Sequence, residues 1–258
     1  MGFGSSKAVL EIPAEGPEPV RNVIRTMLGA GGTVVDTSVR TEEIDAVFAR
    51  EVLHLPDIRE GIFLATKINT PDAEEGIRQR RQTRRLFGER VDLVQVESLR
   101  GLEGHWPRLR EWKDAGETRY IGVTVSSYGN FDRLESFMRR ESPDFVHVNY
   151  SPAEPRAEER ILPLARDRGI AVITNRPFQN GAWFGLVEGR PLPEWVADFG
   201  CDTWAQFSLK YILANPAVTV ALTETTNPDH MIENIEAGHG RFPDASERRR
   251  MLEVVAGL

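Results

Sequence analysis

Three ionisable residues each close an apolar run, and the three runs follow one another along the chain. Asp36 ends Thr33-Val-Val-Asp, Lys67 ends Ile62-Phe-Leu-Ala-Thr-Lys, and Glu97 ends Asp92-Leu-Val-Gln-Val-Glu. Each is roughly 30 residues from the next, the length of one strand-plus-helix unit. If the runs are neighbouring parallel strands, all three side chains stand at one height around one mouth. A lysine set between two carboxylates is held charged by them and holds them ionised in turn. Such a cluster suits acid/base chemistry: Lys67 would steady a developing enolate or leaving oxygen, Glu97 would move the proton, and Asp36 would orient and charge Lys67.

The elements needed to position them are legible along the whole chain. Strand candidates are Met1–Ser5, Thr33–Ser38, Ile62–Lys67, Val91–Glu97, Tyr120–Val125, Phe145–Tyr150, Ala171–Asn175 and Val218–Leu222. Helical period marks Pro19–Leu28, Glu42–Leu53, Ala73–Phe87, Trp106–Ala115, Phe131–Arg140, Ala157–Arg168, Trp204–Ala214 and Pro228–Ala237, with an extra helix over Ala245–Val255. Thr41 is expected to cap its helix, and Gly116 and Gly169 to end theirs in left-handed conformation. Eight such units without a linker predict an α/β fold, a (β/α)₈ TIM barrel forming a single domain over residues 1–258. No glycine-rich G-x-G-x-x-G turn supports a doubly wound sheet instead.

Active sites of such barrels lie at the carboxyl ends of the strands, so Thr124, His147, Tyr150, Asn175 and Arg176 join Asp36, Lys67 and Glu97 as a polar ring for substrate. His147 and Tyr150 lie on opposite sides of the strand alternation, so only one can face the lumen. Taken alone, His147 reads as packing into the helix layer. Arg78, Arg80, Arg81, Arg84 and Arg85 follow the third strand at helical spacing and read as a solvated face.

Composition bounds the partners. The 258 residues carry a formal charge of −7 with 40% hydrophobic residues, which excludes a nucleic-acid footprint and leaves a small molecule as the expected partner. Cys201 is the single cysteine, no apolar run is long enough to span a membrane, and the opening Met1-Gly-Phe-Gly-Ser-Ser-Lys lacks signal-peptide character, so a cytoplasmic setting is expected. His54, His105, His147, His230 and His239 show no zinc-type spacing, so no metal is expected, and no G-x-S-x-G nucleophile elbow occurs.

At these residues the chain resembles the aldo/keto reductases. Val34-Val-Asp36-Thr-Ser is similar to the family's strand-two motif and Ala65-Thr-Lys67 to its strand-three lysine. Trp112-Lys-Asp-Ala-Gly-Glu-Thr-Arg-Tyr-Ile-Gly-Val123, Asn149-Tyr-Ser, Asn175-Arg-Pro-Phe and Asn227-Pro-Asp-His-Met-Ile-Glu-Asn234 match further segments, the Asn-Arg-Pro-Phe form being typical of a bacterial branch. The resemblance implies a TIM barrel and NADPH-dependent carbonyl reduction by an Asp, Tyr, Lys and His tetrad, with His230, Glu233 and Asn234 retained near the adenine end of the cofactor.

Four departures stand against that activity. After Asp36 the chain runs Thr-Ser-Val-Arg-Thr-Glu-Glu into a helix, without the proton-donating tyrosine. Glu97 occupies the histidine position, as in the family's steroid double-bond reductases. Val125 and His147 replace an asparagine and a glutamine that hold the nicotinamide amide, and Glu224 replaces a glycine in the Pro-Gly-Thr that cradles phosphate. The expectation is therefore a reductase-like barrel without a cofactor, performing acid/base dehydration, isomerisation or cyclisation on a small carbonyl metabolite. An NAD(P)H-dependent carbonyl or double-bond reductase with an unusual proton donor is the alternative, and a barrel pseudoenzyme or binding module the third reading.

Overall fold

The computed structural model describes residues 1–5, 7–89 and 91–258. Its centre is eight short parallel strands, β1 (Gly2–Gly4), β2 (Val34–Asp36), β3 (Phe63–Ile68), β4 (Leu93–Val96), β5 (Tyr120–Thr124), β6 (Phe145–Asn149), β7 (Ala171–Asn175) and β8 (Val218–Thr223). Each pairs with the next, and β1 pairs with β8, so the sheet closes into a barrel without edges.

Helices cover the outside: α1 (Ala8–Glu15), α2 (Glu18–Gly29), α3 (Glu42–Phe48), α4 (Pro56–Arg59), α5 (Ala73–Phe87), α6 (Leu102–Asp114), α7 (Phe131–Arg140), α8 (Ala157–Asp167), α9 (Ala182–Leu186), α10 (Trp204–Leu213), α11 (Pro228–Glu236) and α12 (Ala245–Ala256). The single long helix expected over Glu42–Leu53 changes after Phe48 into a π-helical turn over Ala49–Leu53. The short helices α1, α4 and α9 escape a periodicity search because none is longer than eight residues.

Strand alternation divides the apolar residues into two cores. Val34, Ala65, Leu93, Ile173 and Leu222 point inward and fill the barrel, while the outward residues of the same strands join the larger core beneath the helices. Phe63, Tyr120 and Phe145 close the amino end of the lumen, with ring centroids 5.5–5.9 Å apart. The barrel interior is therefore packed below and polar above. Gly122, on an inward-facing position of β5, has no room for a side chain: a Cβ there would lie 2.6 Å from the Phe145 carbonyl oxygen.

Local expectations fare unevenly. Gly116 and Gly169 take positive φ after α6 and α8, as helix-ending glycines do. Thr41 precedes α3 in extended conformation, but its hydroxyl makes no capping bond. Asp72, Thr203, Asn227 and Asp244 do cap their helices through the side chain. Of the five arginines on α5, Arg80 departs from the solvated face. It is buried, donates to the Glu117 carbonyl at 2.6 Å, and lies over the Trp112 ring; burial is the main cause that lowers its pKa to about 10. Among the described residues no helix is long and apolar enough to cross a membrane.

Candidate active site

Inward positions can be counted from the barrel core. Val34, Ala65, Leu93 and Ile173 fill the lumen, so Asp36, Lys67, Gln95 and Asn175, two residues further on, form the next layer towards the carboxyl ends. At that layer hydrophobic filling stops. Lys67 Nζ is paired with Asp36 Oδ2 and donates to the Thr37 carbonyl at 2.7 Å, and both side chains are buried. Gln95 Nε2 donates to the other oxygen of Asp36 at 3.1 Å. Gln95 escapes a search for strand-ending polar residues because Val96 and Glu97 follow it, although its alternation with Leu93 marks it as inward.

His147 occupies the same chamber. Its Nδ1 lies 4.0 Å from Asp36 Oδ1, and the ring is only 4% exposed, with neither nitrogen hydrogen-bonded. Burial lowers its pKa to about 4, with Asp36 opposing the shift and Lys67 adding to it, so the imidazole is neutral at ordinary pH.

Three sequence readings change here. His147 does not pack into the helix layer; Tyr150 does. The Tyr150 hydroxyl meets Glu158, Arg248 Nη2 at 2.6 Å and Asn215 Nδ2 at 3.4 Å, behind the barrel wall, so it is not available to a substrate at the mouth. Closure of the barrel sets which alternation faces inward, and β6 puts Phe145 and His147 there. Glu97, finally, does not share Lys67 with Asp36. β4 ends at Val96, and Ser98 and Leu99 at φ 53° and 56° turn the chain outward, leaving Glu97 partly exposed at the rim, 4.0 Å from Arg100. The pair Asp36–Lys67 remains, with Gln95 in the place expected for Glu97.

Above this pair opens a cavity of about 770 Å³, within the range that small-molecule sites occupy. Thr124 and Asn175 line it, as do Glu97 and Ser126. Thr124 accepts from the Ser98 amide at 3.1 Å, and Asn175 Nδ2 donates to the Val125 carbonyl at 3.2 Å while its Oδ1 has no partner. One wall is the segment after β7. Arg176, Gln179 and Asn180 adopt φ of 57°, 49° and 57°, a concentration of left-handed non-glycine residues that is costly and clusters at ligand sites. Arg176 donates to the Ser126 carbonyl at 3.0 Å, and Phe178 and Phe184 meet with centroids 5.1 Å apart and planes tilted by 44° to give an apolar face.

The neighbouring wall, at the end of β8, contains Thr223, whose buried hydroxyl is unpartnered, and Glu224. The Glu224 carboxylate accepts from the Lys7 amide and, at 2.9 Å, from the Ala8 amide, so it caps α1 and its charge is offset by a helix N-terminus. Val125 belongs to the apolar core and does not line the cavity. His230, Glu233 and Asn234 lie on α11, outside the cavity wall. His230 is exposed beside Thr225 at 3.4 Å, Glu233 is engaged by the Thr203 hydroxyl, and Asn234 is buried.

A carboxamide brings two N–H donors and one carbonyl acceptor. Unpartnered Asn175 Oδ1, the free ring nitrogens of His147 and the Thr223 hydroxyl are a buried set able to meet it, so the residues present fit a nicotinamide group.

Comparison with known proteins agrees. The sequence model of the Aldo/keto reductase family matches residues 1–249. The NADH-specific methylglyoxal reductase of Escherichia coli is 24% identical over 175 residues, 57% of this chain and 52% of that enzyme, so the match spans about half the length of the relative. Among solved structures, an aldo-keto reductase from Bacillus halodurans in its holo form superposes with a TM-score of 0.73 at 21% identity, covering 99% of this chain and 91% of that one. An aldo/keto reductase from Klebsiella pneumoniae in complex with NADP and acetate gives a TM-score of 0.74 at 18% identity, over 98% and 90% of the two chains.

These findings correct two expectations. The family match over nearly the whole chain and the similarity to a named reductase overturn cofactor-independent dehydration, isomerisation or cyclisation, and with it the expectation of no cofactor. The physical grounds for that expectation also weaken. Glu224 turns its charge to a helix N-terminus, and the residue missing at Val125 is answered by other unpartnered polar atoms.

Proposed function

Because the chain belongs to the aldo/keto reductase family, we propose that it reduces a small carbonyl compound with NADPH or NADH at the carboxyl end of its barrel. The observation that carries this reading is the buried Asp36–Lys67 pair at the floor of a cavity whose walls hold unpartnered polar atoms. The cofactor, when bound, supplies a hydride. Every other task falls to the chain's own residues.

Lys67 places a positive charge where the carbonyl oxygen gains negative charge, the form of stabilisation that contributes most in a dry site. Asp36 fixes its position and is fixed in turn by Gln95. His147, Asn175 and Thr223 would hold the nicotinamide amide, and Thr124 the substrate. Arg176 offers a cation to the anionic part of the cofactor. Phe178 and Phe184 exclude water from the reacting atoms. Glu97, at the rim, would act on the substrate's outer end. His230 is the exposed polar group of α11 available to a cofactor extending beyond the mouth, with Glu233 and Asn234 holding α11 in place. The single cysteine, Cys201, suits a reducing cytoplasmic setting.

The test is titration of the protein with NADH and with NADPH by cofactor fluorescence, followed by cofactor oxidation with a panel of small aldehydes, ketones and 2-oxoaldehydes. The last class is chosen because the Escherichia coli relative is a methylglyoxal reductase. Saturable binding and substrate-dependent oxidation are expected. Absence of both with either cofactor would overturn the reading.

A further inference from the structure

We propose that Lys67 is itself the acid that protonates the carbonyl oxygen in this chain. The inference rests on the reductase reading above and comes from an inventory of acids on the cavity wall. None of the four tyrosines lines the cavity: Tyr120 closes the amino end of the barrel, Tyr128 packs on Phe131, and Tyr150 and Tyr211 both bond Glu158 behind the wall. Among the described residues, the polar side chains that do line it are ammonium groups, a guanidinium, amides, aliphatic hydroxyls, a neutral imidazole and three carboxylates, of which Asp36 is paired with Lys67, Glu224 caps α1 and Glu97 stands at the rim 4.0 Å from Arg100. Of these an ammonium alone has an ordinary acidity near that of a phenol, about 10 on the pKa scale. Guanidinium, hydroxyl and neutral imidazole hold their protons far more tightly. Lys7 also lines the cavity, but its ammonium is exposed and ion-paired with Glu11 at 3.5 Å. Lys67 remains.

Its geometry suits the task. Two of the three N–H bonds of Nζ are committed, one to Asp36 and one to the Thr37 carbonyl, and the third is left for a ligand on a side chain that lines the cavity. Both anchors lie at the end of β2, so Nζ is held in place. Asp36 is a positioning residue, aligned by Gln95.

The carbonyl carbon accepts a hydride, one proton with two electrons, from the dihydronicotinamide. The carbonyl π pair moves onto oxygen, and that oxygen takes a proton from Lys67. The N–H bond breaks with its pair remaining on Nζ, so the ammonium becomes an amine. Charge balances overall, because the unit lost at Nζ would reappear on the cofactor that gives up the hydride. Water at the open mouth returns the proton to Nζ after the alcohol departs.

The decisive comparison is Lys67→Arg, which keeps the charge but replaces an acid by a group that does not release its proton in proteins. Expected is an affinity for NADH or NADPH, read by fluorescence titration, within about threefold of the wild type, with single-turnover reduction slowed by at least about 100-fold. In the wild type the same step should be slower in deuterium oxide. If Lys67→Arg reduces substrate at a rate within about threefold of the wild type, charge alone suffices and the proposal is overturned. If circular dichroism shows the variant unfolded, the wild-type measurement decides: a single-turnover rate unchanged in deuterium oxide overturns it equally. Failure of the wild type to bind or oxidise either cofactor is a different result, and overturns the reductase reading on which this one stands.

Discussion

His147 Nδ1 faces Asp36 Oδ1 across the barrel lumen at 4.0 Å, too far for a hydrogen bond and near enough for the carboxylate to act on the ring's charge. Histidine and aspartate come from β6 and β2, on opposite sides of the closed sheet. The attraction does not make the imidazole charged, because burial outweighs it and lowers the pKa to about 4.

That relationship makes His147 a source of acid sensitivity. In the unfolded chain the imidazole takes up a proton below pH 6.5, the ordinary histidine value, whereas in the folded chain it does so only near pH 4. Between those values the unfolded state binds more protons, so stability is full above the upper value and falls as pH drops, by up to about 3 kcal/mol for this group. Urea unfolding at pH 7 and pH 4.5 should show this loss reduced in His147→Gln. An equal loss in variant and wild type would locate the acid sensitivity elsewhere.

Removing one member of the central pair leaves the other charge buried. Lys67→Met strands Asp36, which is 5% exposed and keeps only neutral donors, so a loss of about 3–5 kcal/mol is expected at neutral pH. Asp36→Asn combined with Lys67→Met should recover most of it, giving a large coupling energy in a double-mutant cycle. Additive losses would mean that water already solvates Asp36.

Glu224 is predicted to act as a cap. Glu224→Ala removes the acceptor of the Lys7 and Ala8 amides and should cost about 1 kcal/mol, while Glu224→Gln keeps an acceptor and most of that stability. Thermal unfolding of the two variants distinguishes them. Val125→Asn, by contrast, sets an amide in a packed apolar core and should lose about 1–3 kcal/mol without tightening cofactor binding.

Behind the barrel wall, Tyr150, Tyr211 and Arg248 converge on Glu158 and tie α12 to the chain leaving β6, to α8 and to α10. Tyr150→Phe should lower stability by about 1–3 kcal/mol and leave turnover unchanged. A fall in turnover with stability intact would return Tyr150 to the substrate site.

The sequence by itself determined the barrel, because eight apolar runs at regular spacing have one common solution, and it determined that Asp36 and Lys67 meet, because residues ending adjacent parallel strands stand side by side. It also carried the family motifs. What only the tertiary structure decided is which way side chains turn. Alternation along β6 separates His147 from Tyr150, but the inward phase is set by closure of the sheet and by the large residue, Phe145, that must fill the lumen below. Glu97 lies on the inward phase and still stands at the rim, away from Lys67, because left-handed Ser98 and Leu99 end the ladder one residue too early. Glu224 reads as a charge opposed to phosphate until α1, too short to show a period, brings its first amides to the carboxylate. Spacing fixes which strands meet; the direction of a side chain at a strand's end depends on backbone torsions and on distant partners that no local pattern records.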